Sequence, residues 1–167
     1  MKNKDYFKRN VGVAHRVIRT HLAKNPKLIV HGSRSQNVQL PRYLERKATF
    51  DWDIFSKTPK KSATKLERKL DKKFGGDYFR VKPGATKRLK VNKVISNVTE
   101  QSFADFSIPD RIVPTTSIRG KMFATLRDQK LKAQSNIKDP TKSFRREKDL
   151  NFLRRVKIFE KMRGRKI

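Results

Sequence analysis

Residues 50–54, Phe-Asp-Trp-Asp-Ile, alternate apolar and acidic side chains. A period of two is the pattern of a half-buried strand, in which residues i and i+2 share a face. The pattern predicts a strand over 48–57. Asp51 and Asp53 project together from it, and Phe50, Trp52 and Ile54 enter a core on the other side. Such a strand needs a sheet covered on one face and wet and acidic on the other. Two adjacent carboxylates repel each other unless a proton or a cation sits between them.

Composition makes that pair stand out. The chain has 167 residues, 44 Lys and Arg against 15 Asp and Glu, and a formal net charge of +29. A second acid-x-acid pair, Glu147-Lys148-Asp149, reads as a solvated helix face. Alone, Asp51 and Asp53 fit either an exposed strand face paired with Lys or Arg, or a cation site. A protein this basic repels itself unless it meets a polyanion, so nucleic acid is the expected partner, through backbone phosphates. Apolar residues make up 35% and there is no Cys, which excludes disulfide frameworks and thiolate zinc sites. No apolar run reaches the ~18 residues of a membrane span. The start, with Lys2, Lys4, Lys8 and Arg9, does not read as a secretory signal. These features predict no membrane partner and a location inside the cell, in cytoplasm or nucleus, or inside a virus particle.

Periodicity divides the rest of the chain. Phe7, Val11, Ala14, Val17, Ile18 and Leu22 predict a helix over 6–24, ended by Asn25-Pro26. Residues 27–31 read as a short strand broken by Gly32-Ser33, and 34–47 as a loop or irregular helix. Thr58–Lys61 reads as a turn, followed by a helix over 62–74 closed by Gly75-Gly76. Strands follow at 77–82 and 87–95, around Pro83-Gly84, and at 102–108. Helices are expected over about 117–134, capped by Thr116 or Ser117, and over about 142–162, with Phe144, Leu150, Leu153, Val156 and Phe159 as its apolar side. The sum is an α+β fold with a mixed central sheet of about five strands and flanking helices. Its parts are an N-terminal helix (1–26), a sheet core (27–116) and C-terminal basic helices packed on the same domain (117–167).

Two further groups bear on the carboxylates. Gly32 permits close backbone approach, and the Ser33 hydroxyl suits a phosphate, although Gly-Ser alone is also an ordinary turn. Asp105 lies in the alternating segment Phe103-Ala-Asp-Phe-Ser-Ile108 and would align beside Asp51 and Asp53. Three carboxylates on neighbouring strands outline a two-metal site. His15 and His21, six apart, do not share a helix face as ligands, His31 before Gly32 reads as a structural or solvated residue at the edge of the site, and no P-loop is present.

The segments LIVHGS, FDWDIF and FADFSI together resemble the nucleotidyltransferase superfamily of the polymerase-beta type. The resemblance implies that Asp51 and Asp53 bind two Mg²⁺ ions, that Asp105 completes the site, and that Gly32 and Ser33 hold the outer phosphates of an NTP substrate. The segments around Lys121 and Arg145–Leu153 are similar to abortive-infection-type nucleotidyltransferase toxins, which implies a triphosphate contact from Lys121 on a helix. The gap between Ser33 and Asp51 is longer than usual in that family. The implied function is transfer of a nucleotide from an NTP to a nucleic-acid hydroxyl, RNA or DNA, with tRNA or protein as other acceptors. The alternative is a non-catalytic basic protein of a ribonucleoprotein or virus particle on a degenerate copy of the same fold.

Overall fold

The computed structural model describes residues 3–47 and 49–167. Met1, Lys2 and Ala48 lie outside them, and with them the ends of the N-terminal segment and of the strand expected from residue 48. The helix expected over 6–24 is two helices, α1 (Lys4–Arg9) and α2 (Val11–Ala23), separated at Asn10. Asn3 caps α1, its side chain accepting from the Tyr6 amide. β1 (Ile29–His31) follows, then α3 (Gly32–Gln39) and a 3₁₀ turn (Arg42–Leu44). The first part of the long gap before Asp51 thus holds a helix and a turn. Next come β2 (Trp52–Phe55) and α4 (Pro59–Phe74). Pro59 takes the first helical position, where its missing N–H costs nothing, so α4 begins inside the expected turn. Gly75 closes α4 with φ 73°.

β3 (Phe79–Pro83) and β4 (Asn92–Ser96) form the expected antiparallel pair, and β5 (Ser102–Ser107) joins β4. The helix expected from about 117 is instead a hairpin, β6 (Thr115–Ile118) and β7 (Lys121–Ala124). Arg119 and Gly120 both have positive φ, 50° and 74°, as a two-residue hairpin turn with matching twist requires. The sheet therefore has seven strands rather than about five, in the order β3-β4-β5-β2-β1-β7-β6. β2 runs parallel to β5 and β7 parallel to β1, so the sheet is mixed. α5 (Leu126–Lys138) starts at Thr125, whose hydroxyl accepts from the Asp128 amide. A 3₁₀ segment (Pro140–Arg145) leads into α6 (Arg146–Arg163).

The core lies on one face of the sheet. Val30, Trp52, Ile54, Ala104, Phe106 and Phe123 meet Ile18 and Leu22 of α2 and Leu66 and Leu70 of α4, all buried. A smaller cluster, Leu40, Leu44, Leu126, Ala133, Phe152 and Val156, fastens α5 and α6 to the region after α3. Phe144, expected on the apolar side of the last helix, is 81% exposed, because it lies in the 3₁₀ segment before α6. Phe152 takes its place in the cluster.

One irregularity sets the polar face. Val94 pairs with Ala104 but Ile95 pairs with Ser102, so Phe103 is the extra residue of a β-bulge. The bulge lets Phe103 enter the core while Ser102 and Asp105 stay together on the other side: the Ser102 hydroxyl donates to Asp105 Oδ1.

Candidate active site

Directly paired residues on neighbouring strands share a face and lie within side-chain reach. Register pairs His31 with Asp53, Asp53 with Asp105, and Asp105 with Lys93. Four strands thus set His31, Asp53, Asp105 and Lys93 in one row. Asp51, just before β2, joins it. One carboxylate oxygen from each of Asp51, Asp53 and Asp105 lies within 4.8 Å of the other two.

Electrostatics match the geometry. Burial, with the charges of Asp51 and Asp105, pushes the Asp53 carboxyl up to about 6. A group held this way gains from a divalent cation, and an all-oxygen set of carboxylates suits a hard ion such as Mg²⁺. Lys93 Nζ donates to Asp105 Oδ2 at 2.6 Å, so one positive charge already faces the trio. Asp51 is fixed from behind. The Arg34 guanidinium donates to the carbonyls of Asp51 (2.9 Å) and Phe50 (2.7 Å) and lies 4.2 Å over the Trp52 ring. The structured gap therefore returns the chain to the site through α3.

Gly32 is required twice. Its φ is 68°, and a Cβ there would sit 2.5 Å from Asp53 Oδ2. It opens α3 against the carboxylates, and a helix N-terminus presents unsatisfied N–H groups. Ser33 follows, buried, with a hydroxyl that has no hydrogen-bond partner. His31 stacks on Phe55 with ring centroids 3.7 Å apart. Burial, helped by the nearby Arg111 charge, lowers its pKa to about 3, so it is neutral.

His31, Gly32, Asp51, Asp53 and Phe55 floor a cleft of about 650 Å³. Its far wall comes from α5, the 3₁₀ segment and α6, which contribute Lys132, Lys142, Arg145 and Lys148. Arg111 borders it, gripping the buried Asp128 through two hydrogen bonds of 2.9 and 2.6 Å. Asp149 is no solvated helix residue: it is buried and accepts from Asn136 Nδ2 at 3.1 Å, tying α6 to α5.

Of the sequence-derived site residues, Asp51, Asp53, Asp105, Gly32 and Ser33 come together. Lys121 does not join them. It starts β7 instead of lying on a helix, its Nζ donates to the Arg119 carbonyl at 3.1 Å, and it is not part of the cleft wall. Since Met122 pairs with Ile29, Lys121 falls at the end of β1 away from Gly32. Of the cations that face the cleft, Arg145 and Lys148 lie in the segment singled out by its resemblance, and the others were passed over. Lys93 faces Asp105 through the β4–β5 register, which the bulge at Phe103 shifts and no local pattern marks. Arg111, Lys132 and Lys142 sit in loops and on helix faces, where no periodicity marks them.

No protein-family model and no curated protein matches the chain. Among solved structures, the crystal structure of the Megavirus polyadenylate synthase is similar with a TM-score of 0.74 at 16% identity, over 88% of this chain and 31% of that one. The chain thus spans about a third of that protein's length. The structure of ANT(2″)-Ia in complex with adenylyl-2″-tobramycin overlaps more loosely, with a TM-score of 0.48 at 12% identity over 88% of this chain and 87% of that one. The chain has the nucleotidyltransferase fold.

Proposed function

We propose that this chain transfers a nucleotide from an NTP to a hydroxyl of a nucleic acid, with two Mg²⁺ ions held by Asp51, Asp53 and Asp105. The observation that carries the reading is the convergence of the three carboxylates within 4.8 Å beside Gly32-Ser33, on this fold. Bound Mg²⁺ would supply charge neutralisation on the phosphates and acidify the attacking hydroxyl.

The chain's own residues do the rest by positioning and electrostatics. Asp51, its carbonyl anchored by Arg34, and Asp53 supply metal ligands. Asp105 takes the proton of the acceptor hydroxyl. The hydroxyl oxygen then bonds to the α-phosphorus as the bond from that phosphorus to its bridging oxygen breaks, and pyrophosphate leaves with the bond's electrons. The Ser33 hydroxyl and the Gly32 backbone hold the outer phosphates. Arg145, Lys148 and Lys142 balance their charge in place of the lysine role first drawn for Lys121. Arg145–Leu153 is the segment similar to the abortive-infection-type toxins, and its Arg145, Lys148, Asp149 and Phe152 line the cleft.

The test is label transfer from α-labelled NTPs to RNA, DNA, tRNA or protein in the presence of Mg²⁺. Activity that survives Asp51→Ala combined with Asp53→Ala sinks the assignment. A second reading, a non-catalytic scaffold within a nucleoprotein or virus particle, is favoured by one observation, the Lys93–Asp105 ion pair. On that reading Mg²⁺-NTP leaves the melting temperature unchanged, with Lys93 or without it.

A further inference from the structure

A second concavity, about 1190 Å³, runs along the outer side of α4. Eight of its thirteen lining residues are Lys or Arg, and none is acidic. Lys61, Lys65, Arg68 and Lys72 recur at spacings of four, three and four, which sets them on one face of the helix. At 1.5 Å per residue they span about 16 Å. Lys57 extends the line at the start of the helix, and Lys90 faces it from the segment before β4. The acids of α4, Glu67 and Asp71, stay outside the groove. Asp71 instead accepts the amides of Tyr78 and Phe79.

Like charges at i and i+4 destabilise a helix. Lys61–Lys65, Lys65–Lys69 and Arg68–Lys72 are three such pairs on α4, and the Lys69 ammonium is held below its ordinary pKa by burial and by Lys65 and Lys24. A solvated charged face usually mixes signs, and this one does not. The groove also leads somewhere. Ile108 lines both it and the carboxylate cleft, and Leu89 of the cleft wall is followed directly by Lys90 of the groove.

We propose that the α4 groove is the track for the phosphate backbone of a single-stranded nucleic acid, whose end passes Ile108 toward Asp105. The assignment rests on the nucleotide-transfer reading for the direction of the strand, though not for the binding itself. Backbone charge is what the groove recognises, so binding is independent of base sequence and steeply salt-dependent. The groove follows a single helix and carries ammonium and guanidinium side chains along it, which suits one strand rather than a duplex.

The test compares two variants in fluorescence anisotropy with labelled 15-nucleotide RNA and DNA single strands and a 15-base-pair duplex, over a range of salt. Lys61→Gln, Lys65→Gln, Arg68→Gln and Lys72→Gln combined should weaken single-strand binding more than tenfold. It should also flatten the plot of log K against log salt by about 0.7 per lost contact, close to 3 in all. Four exposed cations elsewhere, Arg154, Lys157, Lys161 and Lys166, changed to Gln as the matched control, should lower affinity far less. Equal losses in the two variants, or a preference for duplex, overturn the proposal. Asp51→Asn with Asp53→Asn tests the nucleotide-transfer reading by itself: it should abolish label transfer, and transfer that survives sinks that reading without touching the binding result for the α4 variant. Circular dichroism of the α4 variant keeps a folding defect from passing as lost binding.

Discussion

Asp53→Asn should make the metal-free protein more stable at neutral pH. In the folded chain the Asp53 carboxyl is pushed from 3.8 to about 6 by burial and by the two neighbouring carboxylates. The folded state therefore holds a proton that the unfolded chain releases. Below pH 3.8 the group is protonated in both states and costs nothing. As pH rises through about 6 it must ionise in place, and the penalty reaches roughly 3 kcal/mol, at ~1.4 kcal/mol per pH unit. Asparagine keeps the shape and removes the charge. At about 2–4 °C per kcal/mol for a chain of this size, Asp53→Asn should melt about 6–12 °C above the parent at pH 7 without divalent ions. The gap should close toward pH 4. Three histidines act in the opposite sense. His15 and His21 are lowered to about 4 and His31 to about 3, chiefly by burial, so their stabilisation is present above pH 6.5 and fades as pH falls. They are common to both proteins and cancel in the difference. Differential scanning fluorimetry from pH 4 to 7.5 measures it. Mg²⁺ at a hundred times Kd should raise the parent by about 2.7 kcal/mol and leave the variant nearly unmoved, so that the gap almost closes. A variant no more stable than the parent at pH 7, or a gap independent of pH, refutes the argument that the trio is electrostatically strained.

Three more substitutions probe the framework. Gly32→Ala places a methyl 2.5 Å from Asp53 Oδ2 at a φ of 68°; it should cost at least about 1–2 kcal/mol in chemical denaturation and weaken Mg²⁺ binding along with it. Arg34→Lys should behave almost like Arg34→Ala, losing roughly tenfold in Mg²⁺ affinity by calorimetry, because a point ammonium cannot span the Phe50 and Asp51 carbonyls while lying over Trp52. Lys93→Met removes the cation that competes for Asp105, so Mg²⁺ should bind several-fold more tightly; weaker binding would mean that Lys93 helps to build the site.

The alternation around Asp51 and Asp53 made the site legible, because a period of two fixes which side chains share a face before any partner strand is known. Asp105 was legible for the same reason, but its neighbourhood was not. Phe103 and Asp105 read as one face, and only the bulge against β4 separates them. Thr115–Ala124 misled through spacing: Ile118, Met122 and Leu126 recur every four residues, as on a helix. The Arg119-Gly120 turn and the Thr125-x-x-Asp128 cap marked the true boundaries, and strand pairing with β1 outweighed the local pattern. Lys121 lost its expected helix for that reason. The cleft's far wall depends on how α5 and α6 pack, which no local pattern encodes.

The place of β7 in the sheet also bears on how the chain can be synthesised and cut. β1 is three residues long, and its parallel partner lies more than ninety residues later, which makes this a contact of high sequence separation. Five strands, β3-β4-β5-β2-β1, are complete in sequence by Ser107, and at that stage β1 is the rim. A fragment stopping before Thr115 would bare its backbone N–H and C=O groups to any passing strand, a route to edge-to-edge aggregation. The hairpin Thr115–Ala124 thus works as a clasp: it shuts the open rim of the half that carries the three carboxylates and, through Thr125, starts the helix that walls the cleft.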